Sequence, residues 1–198
     1  MMVAFAIGSA MTLAALASAA CSPQSAERER ETVRLPRCSI SLVLVAADAS
    51  ATSRAIDANT GARGFSHAYL DPCRFDPRTG ERVFVDYNNA RGLHWTTESY
   101  RGRGIARVHF DGELGDEVFG CVASKLGAPF NVAALASGVE SDQTCAGLIV
   151  HCLPPAMRRT MREAAGTRCV SPNDLAIFFN VELGQSVRVS SRTGLESV

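Results

Sequence analysis

Lysine is almost missing from this chain: of its 20 basic side chains only Lys125 is one, and the arginines are scattered rather than clustered. Neither sign of charge is in excess, since Asp and Glu also total 20 and the formal net charge is zero. Proteins that grip nucleic acid through a broad basic face carry a surplus of positive charge, so nucleic acid is not an expected partner. No internal repeat, low-complexity tract or Cys-x-x-Cys pair occurs anywhere. Cys145, His151 and Cys152 lack the ligand spacing of known zinc sites, and neither a metal nor a cofactor is expected. What remains is a chain of 198 residues, 46% apolar and 20% charged, which buries a core and excludes wholesale disorder. That length accommodates one ordinary domain and a short targeting segment.

Charge is also missing from the start, where no charged side chain precedes Glu27. Residues 1–20 are apolar and rich in Ala, broken by Gly8, Ser9, Thr12 and Ser18, and end in the small residues Ala17-Ser18-Ala19-Ala20. This is the pattern of an export signal, with a retained anchor helix as the alternative; the usual positive n-region is absent. Cys21 follows at once, as a lipid-modified cysteine does, although Ser18 stands where Leu is usual. Lipidation, simple cleavage and a free thiol all remain open for Cys21. Residues 21–37 are polar without apolar periodicity and read as a tether, which leaves 38–198 as the folded domain. The expected location is extracytoplasmic, in the periplasm or cell envelope, with lipid on Cys21 as one route to a membrane. Seven cysteines with no regular ladder predict mainly buried thiols and one or two disulfides, of unassigned pairing.

Along the domain, Ser39–Ala46 mixes β-branched residues with Leu and predicts a strand, as do Phe65–Leu70, Arg82–Tyr87, Ile105–Phe110 and Ser186–Ser190. Asp71-Pro72-Cys73 and the residues up to Glu81 are turn formers. Helices are expected at Ser53–Asn59, Gly115–Leu126, Thr144–Leu153 and Met157–Ala165, the third stopped by Pro154-Pro155. Ser171-Pro172-Asn173-Asp174 predicts a turn or helix start. Strands first and helices later make an α+β fold, an antiparallel sheet with packed helices.

The sharpest candidate for chemistry is Cys145. A polar run, Ser141-Asp142-Gln143-Thr144, leads straight into an apolar helix and places Cys145 in its first turn. Unpaired N–H groups and the positive helix end there favour a thiolate, the competent nucleophile of a cysteine enzyme. A small Cys at a helix start is also an ordinary packing residue. His67, on a predicted strand between Phe65 and Tyr69, is the natural base, and its bland alternative is a satisfied structural histidine. His94 and His109 read as surface residues. His151 lies six positions from Cys145, on another face of the helix.

Together these segments resemble a family. Thr52-Ser53-Arg54-Ala55-Ile56, then Thr60, then Phe65-Ser66-His67-Ala68-Tyr69-Leu70 is similar to the histidine segment of the circularly permuted papain-like hydrolases, the YiiX/YaeF-like branch. Leu126-Gly127-Ala128-Pro129-Phe130, followed by Thr144-Cys145-Ala146-Gly147-Leu148-Ile149, resembles the cysteine segment of NlpC-type cell-wall peptidases. Ser171-Pro172-Asn173-Asp174-Leu175 is similar to a stretch that often follows it. The resemblance covers roughly 39–180, and the order His before Cys marks the permuted branch. It implies a thiol hydrolase with Cys145 as nucleophile and His67 as base. Asp86 then takes the third place, in Val83-Phe84-Val85-Asp86-Tyr87 where the family often has Glu, with Asn88 as its reserve. The implied substrate is an amide, in a peptide or the cell wall. A lipid-directed acyl hydrolase or acyltransferase on the same fold is the alternative, and a non-catalytic binding domain is the alternative of another class.

Overall fold

The computed structural model describes residues 38–50, 53, 54, 56, 63–98, 100, 103–166, 168–190 and 194–197, the last four by backbone alone. The expectations for 1–20, 21–37 and Cys21 lie outside these residues. No helix among the described residues is long and apolar enough to cross a membrane.

Among the described residues seven strands form one sheet: β1 Ile40–Ala46, β2 Phe65–Phe75, β3 Arg82–Asn88, β4 Gly92–Thr96, β5 Ile105–Phe110, β6 Ser186–Ser190 and β7 Gly194–Ser197. Their order across the sheet is β4-β3-β2-β1-β5-β6-β7. Neighbouring strands are antiparallel except β5 and β6, which are parallel. That corrects the wholly antiparallel expectation, and its cause is the connection. Between β5 and β6 the chain runs through five helices, a crossover long enough to return parallel. These are α1 Gly112–Ala123, α2 Val132–Ser137, α3 Cys145–Cys152, α4 Pro155–Ala165 and α5 Pro172–Phe178. The architecture is mixed α+β.

Central β1 reads as a continuous apolar run because both its faces are covered. Leu42 and Leu44 join the main core with Leu70, Val85, Val108, Val118, Leu148 and Leu175. Val43 and Val45 point to the opposite face, where they pack with Tyr69, Phe84 and Tyr100. Strand β2 does not turn at Asp71-Pro72-Cys73, as its composition predicts, but continues to Phe75. The reason is the buried Asp71 carboxylate, which accepts from Arg82 Nε at 2.9 Å, Arg107 Nη1 at 3.0 Å and the Cys73 N–H at 3.1 Å. The pairing with β3 shifts between Leu70 and Arg74, and Cys73 takes a positive φ of 55°. The strand therefore bulges around its buried carboxylate, and the hairpin closes only at Asp76–Glu81.

Helix α1 sits three residues earlier than its pattern suggests at both ends, while α4 begins two residues early because Pro155 is tolerated at a first helical position. Of the expected Ser53–Asn59 helix, Ser53, Arg54 and Ile56 are helical and the rest lies outside the described residues. Disulfides join Cys38 to Cys73 and Cys121 to Cys152. The first ties the head of β1 to the β2 bulge, and the second ties α1 to the last residue of α3.

Candidate active site

Helix α3 starts where it does because Thr144 caps it. The Thr144 backbone is extended, and its hydroxyl accepts the Gly147 N–H at 3.1 Å. Gly147 is required here, since a Cβ would run into the Ser141 carbonyl and stand 2.8 Å from Thr144 Oγ1. Cys145 is thus the first helical residue, 7% exposed, with its thiol free of any disulfide.

His67 lies opposite Val45 on β2, near the end of the β1–β2 ladder. Its Nε2 stands 2.6 Å from Asp86 Oδ1, and both side chains are nearly shut off from solvent, at 14% and 6% exposure. With Nε2 held by Asp86, Nδ1 is the other ring nitrogen, and Cys145 is close enough to bear on the titration of the ring. Burial disfavours a charged ring. The hydrogen bond the ring donates to Asp86, with the influence of Cys145 and the Asp86 charge, outweighs it and raises the His67 pKa to about 9. Burial likewise opposes ionisation of Asp86, yet the hydrogen bond and charge of His67, with the Asn88 amide, hold its carboxyl below the ordinary range. Asn88 does not replace Asp86 at the ring. Its Nδ2 donates to Asp86 Oδ2 at 2.8 Å and fixes that carboxylate's outer oxygen.

Tyr100 completes this shell and was illegible in the sequence. Its hydroxyl donates to Asp86 Oδ2 at 3.3 Å, and its ring tilts against the imidazole with centroids 4.9 Å apart. Burial, then the Asp86 charge, push the Tyr100 hydroxyl pKa up, so it stays a neutral donor. Asn173 was also missed as an individual residue. Wholly buried, its Oδ1 accepts the Phe65 N–H at 2.9 Å and pins the start of β2 to α5. The segment Ser171–Asp174 is a capping box at the head of α5, in which Ser171 and Asp174 exchange hydrogen bonds. Residues 126–130 dock on β4 and β3: Leu93 of β4 donates to the Ala128 carbonyl at 3.0 Å and the Tyr87 hydroxyl of β3 donates to the Pro129 carbonyl at 2.5 Å.

A cavity of about 370 Å³ opens beside Cys145. Its walls are mainly apolar, from Ile56, Val132, Leu135, Ala136, Val170 and Pro172, with Ser66 and Cys169 facing it as well. Cys169 is the other free cysteine among the described residues, and burial pushes its thiol pKa up. Of the remaining histidines, His94 pairs with Asp86 across β3 and β4, while His109 and His151 find other partners. His151 faces Asp142 at 3.5 Å. His94 and His109 are half-buried rather than on the surface: His94 Nδ1 meets the Gly92 carbonyl at 3.0 Å, and His109 Nδ1 meets the Ser41 hydroxyl at 2.8 Å.

A buried carboxylate, an imidazole and a thiol at a helix head are equipped for nucleophilic acyl transfer. The chain matches no family model, no curated protein and no solved structure.

Proposed function

We propose that the protein is an exported thiol hydrolase that cleaves an amide bond, in a peptide or the cell wall, through a Cys145 thioester, on a permuted papain-like fold. The observation that carries this reading is the Asp86–His67–Cys145 arrangement at the head of α3. The Cys145 thiolate attacks the carbonyl carbon, and the protonated His67 gives its proton to the leaving amine as the C–N bond breaks. Forming the thioester removes the negative sulfur whose hydrogen bond and charge help hold the His67 proton. The imidazole becomes a base at that moment, takes a proton from water, and the resulting hydroxide releases the acid and restores the thiolate. The two disulfides support an extracytoplasmic location, since such bonds persist in oxidising compartments.

A second reading, a lipid-directed acyl hydrolase or acyltransferase, is favoured by one observation: the apolar walls of the cavity beside Cys145 suit an acyl chain. One experiment tests both. The protein is incubated with a panel of acyl p-nitroanilides and p-nitrophenyl esters of increasing chain length, quenched in acid and weighed intact. A thioester mass on Cys145 from amides supports the first reading, and one from long-chain esters alone supports the second. No adduct with any member, while Cys145 remains free, refutes both.

A further inference from the structure

Acyl transfer at a thiolate needs donors for the oxygen that turns negative in the tetrahedral intermediate. The Cys145 N–H, in the first turn of α3 and without an intrahelical acceptor, is one. We infer that the Ser66 hydroxyl is the second: Ser66 is a catalytic residue of the proposed reaction, donating a hydrogen bond to the carbonyl oxygen of the acyl group under attack. The inference rests on the thiol-hydrolase reading and deepens it.

Three observations carry it. The first is backbone geometry. Val45 pairs with His67 but Ala46 pairs with Phe65, so Ser66 is the extra residue of a bulge in β2. Strict alternation cannot put both Phe65 and Ala68 into the core on the helix side, yet both lie there, and the bulge at Ser66 makes it possible. Bulges of this kind re-aim a side chain, and Ser66 faces the same cavity as Cys145. The second is hydrogen-bond polarity. The Asp48 N–H donates to Ser53 Oγ at 2.9 Å, and the Ser53 hydroxyl donates onward to Ser66 Oγ at 2.5 Å. Arg103 Nη2 donates to the same Ser66 oxygen at 3.1 Å. Both bonds the Ser66 oxygen makes among the described residues are therefore accepted ones, and its own proton is left to donate. The third is electrostatic. The Arg103 guanidinium is anchored by Asp48 at 3.3 Å and by the Ala46 carbonyl, and it stands behind the hydroxyl. A cation on the oxygen side polarises the O–H toward the cavity, in a site where Ser66 is only 6% exposed. Ser66 and His67 are consecutive, so one bulge presents the oxyanion donor and the base together.

The test uses p-nitrophenyl butyrate as acyl donor and iodoacetamide as a probe of the thiolate that makes no oxyanion. Ser66→Ala is expected to lower kcat/KM for the ester about a hundredfold or more, while Cys145 alkylation stays within about twofold. The pair Ser66→Thr and Ser66→Val, alike in shape but not in hydroxyl, controls for packing, and Thr is expected to keep at least tenfold more ester turnover than Val. Ester turnover unchanged in Ser66→Ala, or equal in Thr and Val, overturns the inference and leaves the thiol hydrolase standing. Ester turnover and alkylation falling together also overturn it, since Ser66 then only holds the fold. A wild-type protein that is alkylated at Cys145 but acylated neither by this ester nor by any amide or ester of the panel brings down the thiol-hydrolase reading itself, and this role with it.

Discussion

Asp86 grips the His67 ring through one oxygen, at 2.6 Å from Nε2, and is itself gripped through the other by Asn88 and Tyr100. A carboxylate so divided sets which imidazole nitrogen carries the proton toward it and leaves the opposite nitrogen for the thiol. Asp86→Ala is expected to cut ester or amide turnover at least a hundredfold, while Cys145 can still be acylated slowly. Asn88→Ala and Tyr100→Phe each leave the Asp86–His67 bond in place and are expected to cost tenfold or less. Turnover in Asp86→Ala equal to that of Asn88→Ala would show that Asp86 does not orient the ring.

The charge on His67 makes stability depend on pH. Its folded pKa, about 9, lies above the ordinary 6.5. The folded state therefore binds the proton more tightly, and the contribution is whole below about pH 6.5 and lost as pH rises through about 9. Asp86 works in the opposite sense: its depressed pKa contributes above the ordinary 3.8 and is lost as pH falls. The melting temperature of the wild type should drop between pH 6.5 and 9.5 more steeply than that of His67→Gln. Parallel curves for the two proteins would contradict the raised pKa. Turnover should fall over the same alkaline range, as the imidazolium that protonates the leaving group disappears.

How much of this was legible before any coordinates depended on how local each signal is. Strand β1 and helix α3 announce themselves, one by an unbroken apolar run and the other by a polar cap ahead of apolar residues. Cys145 and His67 were singled out by the order of the segments that carry them, His before Cys, and not by either segment alone, while Asp86 followed from its place on the strand after His67. Tyr100 carries no such mark, because it sits outside any strand or helix between β4 and β5 and acts through tertiary contacts with Asp86 and His67. The Asp71 bulge was misread as a turn since Asp and Pro favour turns locally, and Arg82 and Arg107, distant in sequence, override them. Strand β4 went unnoticed because it is only five residues long and depends on Gly92, whose positive φ of 66° lets the chain pass the Ala128 carbonyl.

The Cys121–Cys152 disulfide closes a stretch of 31 residues and fastens the far end of the helix that carries Cys145. In the chain-entropy account a loop of that size is worth about 3–4 kcal/mol. Replacing both cysteines by Ala should lower stability by about that amount in urea titration. Cys145 lies at the opposite end of α3, so its alkylation rate in the folded variant should match the wild type. A rate that collapses while the fold persists would show that the bridge sets the site rather than the helix alone.

Export predicts a chain that begins near Ala20 or Cys21. Intact mass of the protein recovered from the cell envelope should lack residues 1–20, and a diacyl or triacyl increment on Cys21 would assign the anchor. Cys21→Ser should then release the protein from membranes. Recovery of the full-length chain in the cytosol would end the extracytoplasmic proposal.

Two thiols face one cavity, and their surroundings differ enough for chemistry to tell them apart. Cys145 is a free thiol at the head of α3, with the His67 imidazole as its partner. Cys169 has Thr144 Oγ1 at 3.8 Å for company, and burial pushes its thiol upward, away from the reactive form. Brief treatment of the folded protein with iodoacetamide at pH 6 should therefore label Cys145 at least tenfold faster than Cys169. His67→Ala should slow that labelling by a similar factor, because the thiol loses its imidazole partner. Cys145→Ser should remain folded, since the side chain changes little in volume, and should hydrolyse nothing. If the two cysteines label at one rate, or if native protein contains a Cys145 disulfide, the nucleophile has been misassigned and a binding domain is the better description.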